Sequence, residues 1–212
     1  MNRYSDKAYW NERYRLDPQP FEWYQHYTVL RPSLVEVLKR YGQPRILVLG
    51  CGTSRLSEEL YNEGFKYITN IDSSEVCIGL MKEKYGDYEG MEFVEMDCGK
   101  LSFEDKSFDF ILDKGTLDSV LCSMNGKEAG AVMIGEVARV LKEKGCFFCV
   151  SHGNPEFRLP LLEFEGALWN VNVNHLNKPK PAQTSKTETS RNEIQETQYH
   201  YVYVCEVIGS MD

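Results

Sequence analysis

Two glycines and two acids carry the chemistry this sequence can do. Gly50 and Gly52 stand in RILVLGCGTS, directly after the apolar run Ile46–Leu49. Neither carries a Cβ, so the loop Gly50-Cys51-Gly52 can turn tightly and lay its backbone against a ligand. A helix beginning just after it points unpaired N–H groups at the same spot. Asp72 lies 22 residues after Gly50, at the end of a second strand. A carboxylate there accepts hydrogen bonds from both hydroxyls of a ribose. Asp97, in MDCG, ends a third strand, where it can take an adenine amino group with the Cys98 backbone at the ring edge. An adenosine-bearing cofactor is the consequence. The third glycine of a dinucleotide fingerprint is replaced by Arg55, and no G-x-x-x-x-G-K-[ST] loop occurs. S-adenosylmethionine has no phosphate, and its lone carboxylate needs less room, so it suits this loop better. The bland rival is an unrelated α/β core with a glycine turn and two chance acids.

The elements that must hold these residues alternate. Arg31–Gly42 reads as a helix with Pro32 near its start, and Ile46–Leu49 as a fully buried parallel strand. Residues 54–64 read as a helix that Ser54 can cap and Gly64 stops. Then come strand 67–72, helix 73–85, strand 91–97, strand 107–115, helix 128–142 and strand 146–151. Such alternation implies a parallel sheet covered by helices on both faces. Two period-two segments, 169–176 and 199–207, read as closing strands, separated by the almost wholly polar stretch 177–197, which is expected to be a mobile loop. The whole predicts one α/β domain over 1–212: an aromatic N-terminal lid and helix at 1–43, a cofactor-binding core at 44–153, and closing strands at 154–212.

Composition excludes several classes. The 212 residues are 42% hydrophobic and 26% charged, ordinary for a globular chain and not for a disordered or fibrous one. No apolar run approaches the ~20 residues of a membrane span, and the N-terminus lacks a secretory h-region. A net charge of −8 opposes nucleic acid as a partner, because affinity for it comes largely from Lys and Arg at phosphates. Seven cysteines without a signal peptide point to a reducing, cytoplasmic setting. Cys146 and Cys149 form a C-x-x-C on a predicted strand, where residues three apart point to opposite faces, so no metal site is expected. The four histidines, His152 among them, are scattered and suggest no ligand set.

A set of motifs then makes the chain resemble the class I S-adenosylmethionine-dependent methyltransferases. These are Y-W-x-x-R-Y (Tyr9–Tyr14), E-W-Y (Glu22–Tyr24), I-L-V-L-G-C-G-x-S (Ile46–Ser54), N-I-D-x-S-x-V (Asn70–Val76), M-D (Met96–Asp97) and D-K-G-T-L-D (Asp113–Asp118). More narrowly, they are similar to the eukaryotic methyltransferase-like group that methylates lysines of translation elongation factor 1-alpha. The match runs from residue 9 to about 153, some two-thirds of the chain. G-C-G is widespread, whereas D-K-G-T-L-D with Y-W-x-x-R-Y is much narrower.

The resemblance implies a Rossmann-like, seven-stranded, mostly parallel sheet with a C-terminal antiparallel pair. It implies a cofactor shell of Trp10, Tyr14, Trp23, Gly50, Asp72, Ser73, Asp97, Cys98 and Lys114, the early aromatics forming a lid suited to a sulfonium cation. S-adenosylhomocysteine would be the product, and elongation factor 1-alpha the partner. Methyl transfer to lysine requires a neutral amine held in line with the methyl and sulfur. Asp113, at the carboxyl end of the fourth strand, and Asp118, just past it, are the candidates to orient the ammonium and relay its proton. Lys114 is expected to contact the cofactor carboxylate or brace the loop. Two alternatives remain open at this point: a methyltransferase for a small metabolite, and a cofactor-binding partner protein without turnover.

Overall fold

The computed structural model describes residues 3–179 and 198–208, and the greater part of the expected loop at 177–197 falls outside them. Seven strands form one sheet: β1 (Ile46–Leu49), β2 (Ile68–Asp72), β3 (Met91–Glu95), β4 (Phe108–Lys114), β5 (Leu141–Ser151), β6 (Trp169–Asn177) and β7 (Tyr199–Val207). Their order is β3-β2-β1-β4-β5-β7-β6. The first five are mutually parallel, while β7 runs antiparallel to β5 and to β6. This is the sheet the alternating pattern predicts.

Side chains obey the period of two. On β1, Ile46 and Val48 join one apolar cluster, while Leu47 and Leu49 join the other. Helices α2 (Tyr27–Leu38), α3 (Leu56–Asn62) and α4 (Glu75–Tyr85) cover the first face. Helices α5 (Thr116–Val120), α6 (Gly126–Val140) and α7 (Pro155–Leu162) cover the second. The two cysteines of C-x-x-C separate in the same way, Cys146 into the first cluster and Cys149 into the second. Fully burying a Phe, Leu or Ile here stabilises by about 1.5–3 kcal/mol each.

Some boundaries differ from the sequence reading. Helix α2 begins at Tyr27, so Pro32 stands inside it and not near its start. Strand β3 stops at Glu95, and Asp97 lies in the turn beyond it, where Lys100 N donates to Asp97 O. Helix α6 ends at Val140, and β5 begins at Leu141, paired with Phe108 across an irregular register. Lys142 is held there by Asp109 at 2.8 Å, which favours the extended conformation over another helical turn. The N-terminal aromatic stretch contains helix α1 (Lys7–Leu16), started by Asp6, whose carboxylate accepts from Ala8 N.

Candidate active site

A cavity of about 1010 Å3 opens at the carboxyl ends of β1, β2 and β4. Strand order reverses between β1 and β4, the place where ligands lie in open α/β sheets. The glycine loop forms its floor. Gly50 has φ +57° and Gly52 φ +52°, a region that side-chain-bearing residues rarely adopt. A Cβ on Gly50 would overlap the Thr116 side chain, and one on Gly52 would come within 3.1 Å of the Tyr14 hydroxyl. Thr116 Oγ1 donates to Leu49 O at 2.8 Å, locking the end of β1 to the start of α5.

Asp72 is buried at the tip of β2. It accepts from Gly52 N at 3.0 Å and Ser74 N at 2.8 Å, so it fixes both the glycine loop and the entry to α4. Burial raises its pKa, and those two N–H donors together with the Cys77 thiol pull the other way. An ionised carboxylate offers about four acceptor positions, so capacity remains for a ribose hydroxyl. Asp97 Oδ1 accepts from Gly99 N at 2.8 Å, leaving its other oxygen for an exocyclic amine. Burial pushes the neighbouring Cys98 thiol up to about 12, so it stays protonated. A glycine floor, an acid for ribose and an acid for an amine, placed around one cavity, fit an adenosyl cofactor.

Two of the family motifs meet. Lys114 Nζ lies 3.0 Å from Glu22 Oε2 and donates to Trp23 O at 3.1 Å. Glu22 also accepts from Ser54 Oγ and from Arg55 N at 2.7 Å, tying the N-terminal segment to the glycine loop. Gly115, at φ +91°, leaves room for the Tyr24 ring, which a Cβ there would meet at 3.0 Å. Tyr24 itself has φ +62°. A bulky residue in that region is strained by roughly 1–2 kcal/mol. Its hydroxyl donates to Asp118 Oδ2 at 2.7 Å. E-W-Y thus docks on D-K-G-T-L-D.

Asp118 is the hub of a buried polar network. Its Oδ2 also accepts from His152 N at 2.9 Å and lies 2.7 Å from His152 Nδ1. Its Oδ1 accepts from Ser151 Oγ at 2.5 Å and from Arg158 Nη2 at 2.6 Å. Burial opposes its charge, but the His152 and Ser151 hydrogen bonds and the Arg158 cation hold the carboxyl well below the ordinary range. Gly153 lacks a Cβ where the Arg158 guanidinium passes. The lid closes the other side. Trp10 stacks on Tyr14 with ring centres 5.8 Å apart, and Trp23 meets Trp10 edge-on at 6.1 Å. Lys7 reaches Glu95 at 2.5 Å, and Ser74 Oγ donates to Asn11 at 2.6 Å, so α1 bridges to β3 and α4.

Of the residues expected at the site, the cavity wall includes Trp10, Tyr14, Trp23, Gly50, Cys51, Gly52, Asp72, Ser73, Asp97, Cys98, Lys114 and Asp118. Asp113 stands apart. It is fully buried, accepts from Thr116 N and Leu117 N at 2.8 and 3.2 Å, and takes the Cys149 thiol at 3.4 Å. It caps α5 from behind the wall, because alternation along β4 turns it away from the cavity. Lys114 faces Glu22, the bracing role. Glu22, Tyr24, His152 and Arg158 are additions to the sequence reading. His152 follows directly on β5, as Asp72 ends β2, and that position at a strand's carboxyl end was the available signal. Cys51, Asp72 and Cys77 also bring potential ligand atoms within 4.8 Å of one another. The Cys51 thiol is pushed well up by its Cys77 hydrogen bond and by burial, which disfavours metal ligation.

Residues 47–149 match the methyltransferase domain family. The chain is 46% identical over 136 residues to the Mus musculus eEF1A lysine and N-terminal methyltransferase, covering 62% of this chain and 19% of that relative. It is 35% identical over 165 residues to the Bos taurus EEF1A lysine methyltransferase 4, covering 73% of this chain and 64% of that one. The chain thus spans about a fifth of the length of the first relative and under two thirds of the second. The fold is shared with the N-methyltransferase NodS of Bradyrhizobium japonicum, solved with S-adenosyl-L-homocysteine, at TM-score 0.63 and 15% identity over 98% of this chain and 99% of that one. A Methanosarcina mazei methyltransferase gives TM-score 0.62 at 19% identity, covering 82% and 97%. With the glycine floor and the strand-end acids inside it, the segment 47–149 is a methyltransferase domain, on a fold shared with S-adenosylmethionine-dependent methyltransferases.

Proposed function

We propose that this protein methylates a lysine side chain of a protein, and that the acceptor is translation elongation factor 1-alpha. The observation that carries the reading is the docking of E-W-Y on D-K-G-T-L-D at the cofactor cavity, the latter being, with Y-W-x-x-R-Y, one of the two segments that most narrowly mark the elongation-factor group. The relatives named for eEF1A lysine methylation, at 35–46% identity, support it. The fold neighbours support the fold alone. Among the described residues no helix is long and apolar enough to cross a membrane. A cytoplasmic location and the lack of a nucleic-acid partner are further parts of the proposal.

In this reading Asp72 holds the ribose, Asp97 and the Cys98 backbone the adenine, and the loop Gly50-Cys51-Gly52 with Ser73 the remaining contour. Trp10, Tyr14 and Trp23 enclose the sulfonium end, where aromatic faces attract a cation by about 0.5–2 kcal/mol. The bound cofactor supplies an electrophilic methyl. The chain's own contribution is to keep water out beneath the lid and to orient the amine, an entropic advantage of ~7–11 kcal/mol when geometry is well set. Lys114, neutralised by Glu22, keeps the lid seated. Asp113 and Asp118 act by position: the first caps α5, and the second organises the acceptor wall.

The test is labelling with tritiated S-adenosylmethionine in a cell extract that contains elongation factor 1-alpha. A labelled band at that factor's mass, lost when its lysines are replaced by arginine, is expected. Label found only in small molecules, or none beside tight S-adenosylhomocysteine binding, would overturn the reading.

A further inference from the structure

We propose that His152 is the group that takes the proton from the incoming lysine, with Asp118 as its positioning residue. The inference rests on the methyl-transfer reading above. His152 lies on the cavity wall with Tyr24, Lys114 and Asp118. Its ring is fastened by one edge. Nδ1 lies 2.7 Å from Asp118 Oδ2, and the same oxygen accepts the His152 backbone N–H at 2.9 Å. A carboxylate whose charge is held by Arg158 can only accept, and the Tyr24 hydroxyl 3.1 Å from Nδ1 already gives its hydrogen to the same carboxylate, so Nδ1 carries the hydrogen and Nε2 keeps its lone pair. Among the described residues Nε2 has no hydrogen-bond partner, and the side chain is 56% exposed, so the nitrogen is open both to a substrate and to solvent.

The neighbouring acids do not compete for the task. Asp118 is saturated by Tyr24, Ser151, His152 and Arg158. Asp113 is fully buried and occupied by α5 and Cys149. His200 faces the same spot through Tyr24, whose ring centre is 4.8 Å from its own, and burial first, then Lys178 and His152, lowers its pKa to about 4. Its Nδ1 is engaged with the Gln25 amide at 3.1 Å. The groups around His152 are therefore Tyr24, Asp118, Arg158 and His200, and the ring alone has both a free lone pair and an exit for a proton.

The step balances without a further reactant. The lysine ammonium gives one proton to Nε2, and the N–H electron pair stays on nitrogen. That pair forms the new bond to the methyl carbon as the carbon–sulfur bond breaks and its pair goes to sulfur. The imidazolium then returns its proton to water through its exposed edge. Asp118 stabilises the imidazolium, as a buried carboxylate does when it holds a catalytic ring.

The experiment compares wild type, His152→Gln and His152→Ala, at a side chain that is 56% exposed. General-base removal costs typically 10²–10⁴-fold. His152→Ala is expected to lower kcat by roughly 100-fold or more, with S-adenosylhomocysteine affinity within twofold by calorimetry. The acid limb of its kcat/KM profile should move up toward the ionisation of the lysine itself, and added imidazole should restore part of the rate. An independent arm reads the ring itself: the 15N spectrum of the wild-type complex with S-adenosylhomocysteine should show hydrogen on Nδ1 and a lone pair on Nε2. A kcat loss under threefold, an acid limb left where the wild type has it, or hydrogen on Nε2 in the neutral ring would each overturn the assignment. A wild type inert toward elongation factor 1-alpha sinks the acceptor reading instead, and the tautomer measurement still decides His152.

Discussion

Lys114 and Glu22 form a sequestered ion pair, 3.0 Å from Nζ to Oε2, with side chains only 7% and 14% exposed. It joins the end of β4 to the lid. Removing one partner of a buried pair leaves an uncompensated charge and costs about 3–5 kcal/mol, whereas replacing both with apolar groups is often neutral. Lys114→Met and Glu22→Gln should each lower the Tm by several degrees and weaken S-adenosylhomocysteine binding as the lid loosens. The double variant should recover part of the stability loss. Thermal unfolding of all four proteins, read as a double-mutant cycle, checks this. Additive losses would mean that the two charges do not meet in solution.

Asp72→Ala removes the acceptor of the Gly52 and Ser74 N–H groups and the acceptor proposed for the ribose. Charged hydrogen bonds contribute about 1.5–3 kcal/mol each, so S-adenosylhomocysteine should bind at least roughly tenfold more weakly. Titration calorimetry measures it. Unchanged affinity would remove Asp72 from the cofactor shell.

Asp113→Asn separates capping from catalysis. Burial, then the Asp118 charge, pushes the Asp113 carboxyl up to about 6 from 3.8. Between those values the folded protein holds a proton that the unfolded chain releases, so wild-type stability from this group falls as pH rises through that window. The shift corresponds to about 3 kcal/mol. The Asn variant has no such ionisation. Its stability relative to wild type should therefore improve from pH 4 to pH 7, in urea titrations at several pH values. Turnover should stay within about threefold, since the side chain faces α5. A large kcat loss with intact cofactor binding would restore Asp113 to the acceptor machinery.

Gly50→Ala places a Cβ on the Thr116 side chain at a backbone of φ +57°. Strain of roughly 1–3 kcal/mol from the backbone alone adds to the overlap. The variant should unfold at lower temperature and lose cofactor affinity. Gly79→Ala, at a position with nothing within 4 Å of the new atom, should leave both nearly unchanged. Near-equal behaviour of the two variants would show that the glycine loop yields easily.

The sheet, its order of helices and the cofactor floor were readable from residues, because they rest on local signals: apolar runs, a glycine turn, acids at strand ends. The acceptor wall was not. Asp113 was the first polar residue of its strand, but which face it takes depends on register against Leu49 and Cys149. Asp118 was visible as an acid, yet its hydrogen-bond partners come from the N-terminal segment, β5 and α7, contacts between residues 33 to 94 positions apart. His152 looked like one of four scattered histidines for the same reason. Pairing across such distances leaves no periodic trace.

The partners of Asp118 carry a practical consequence for anyone cutting this protein down. The segment that matches the methyltransferase family, 47–149, contains Asp118. Tyr24, Ser151, His152 and Arg158 all lie outside it. A fragment trimmed to the recognisable family boundaries would bury a carboxylate stripped of every group that satisfies it, and would leave Lys114 without Glu22 as well. The unit that family models detect and the unit that can fold with its charges matched are therefore different lengths of chain, and expression boundaries drawn from the former would cut through the latter.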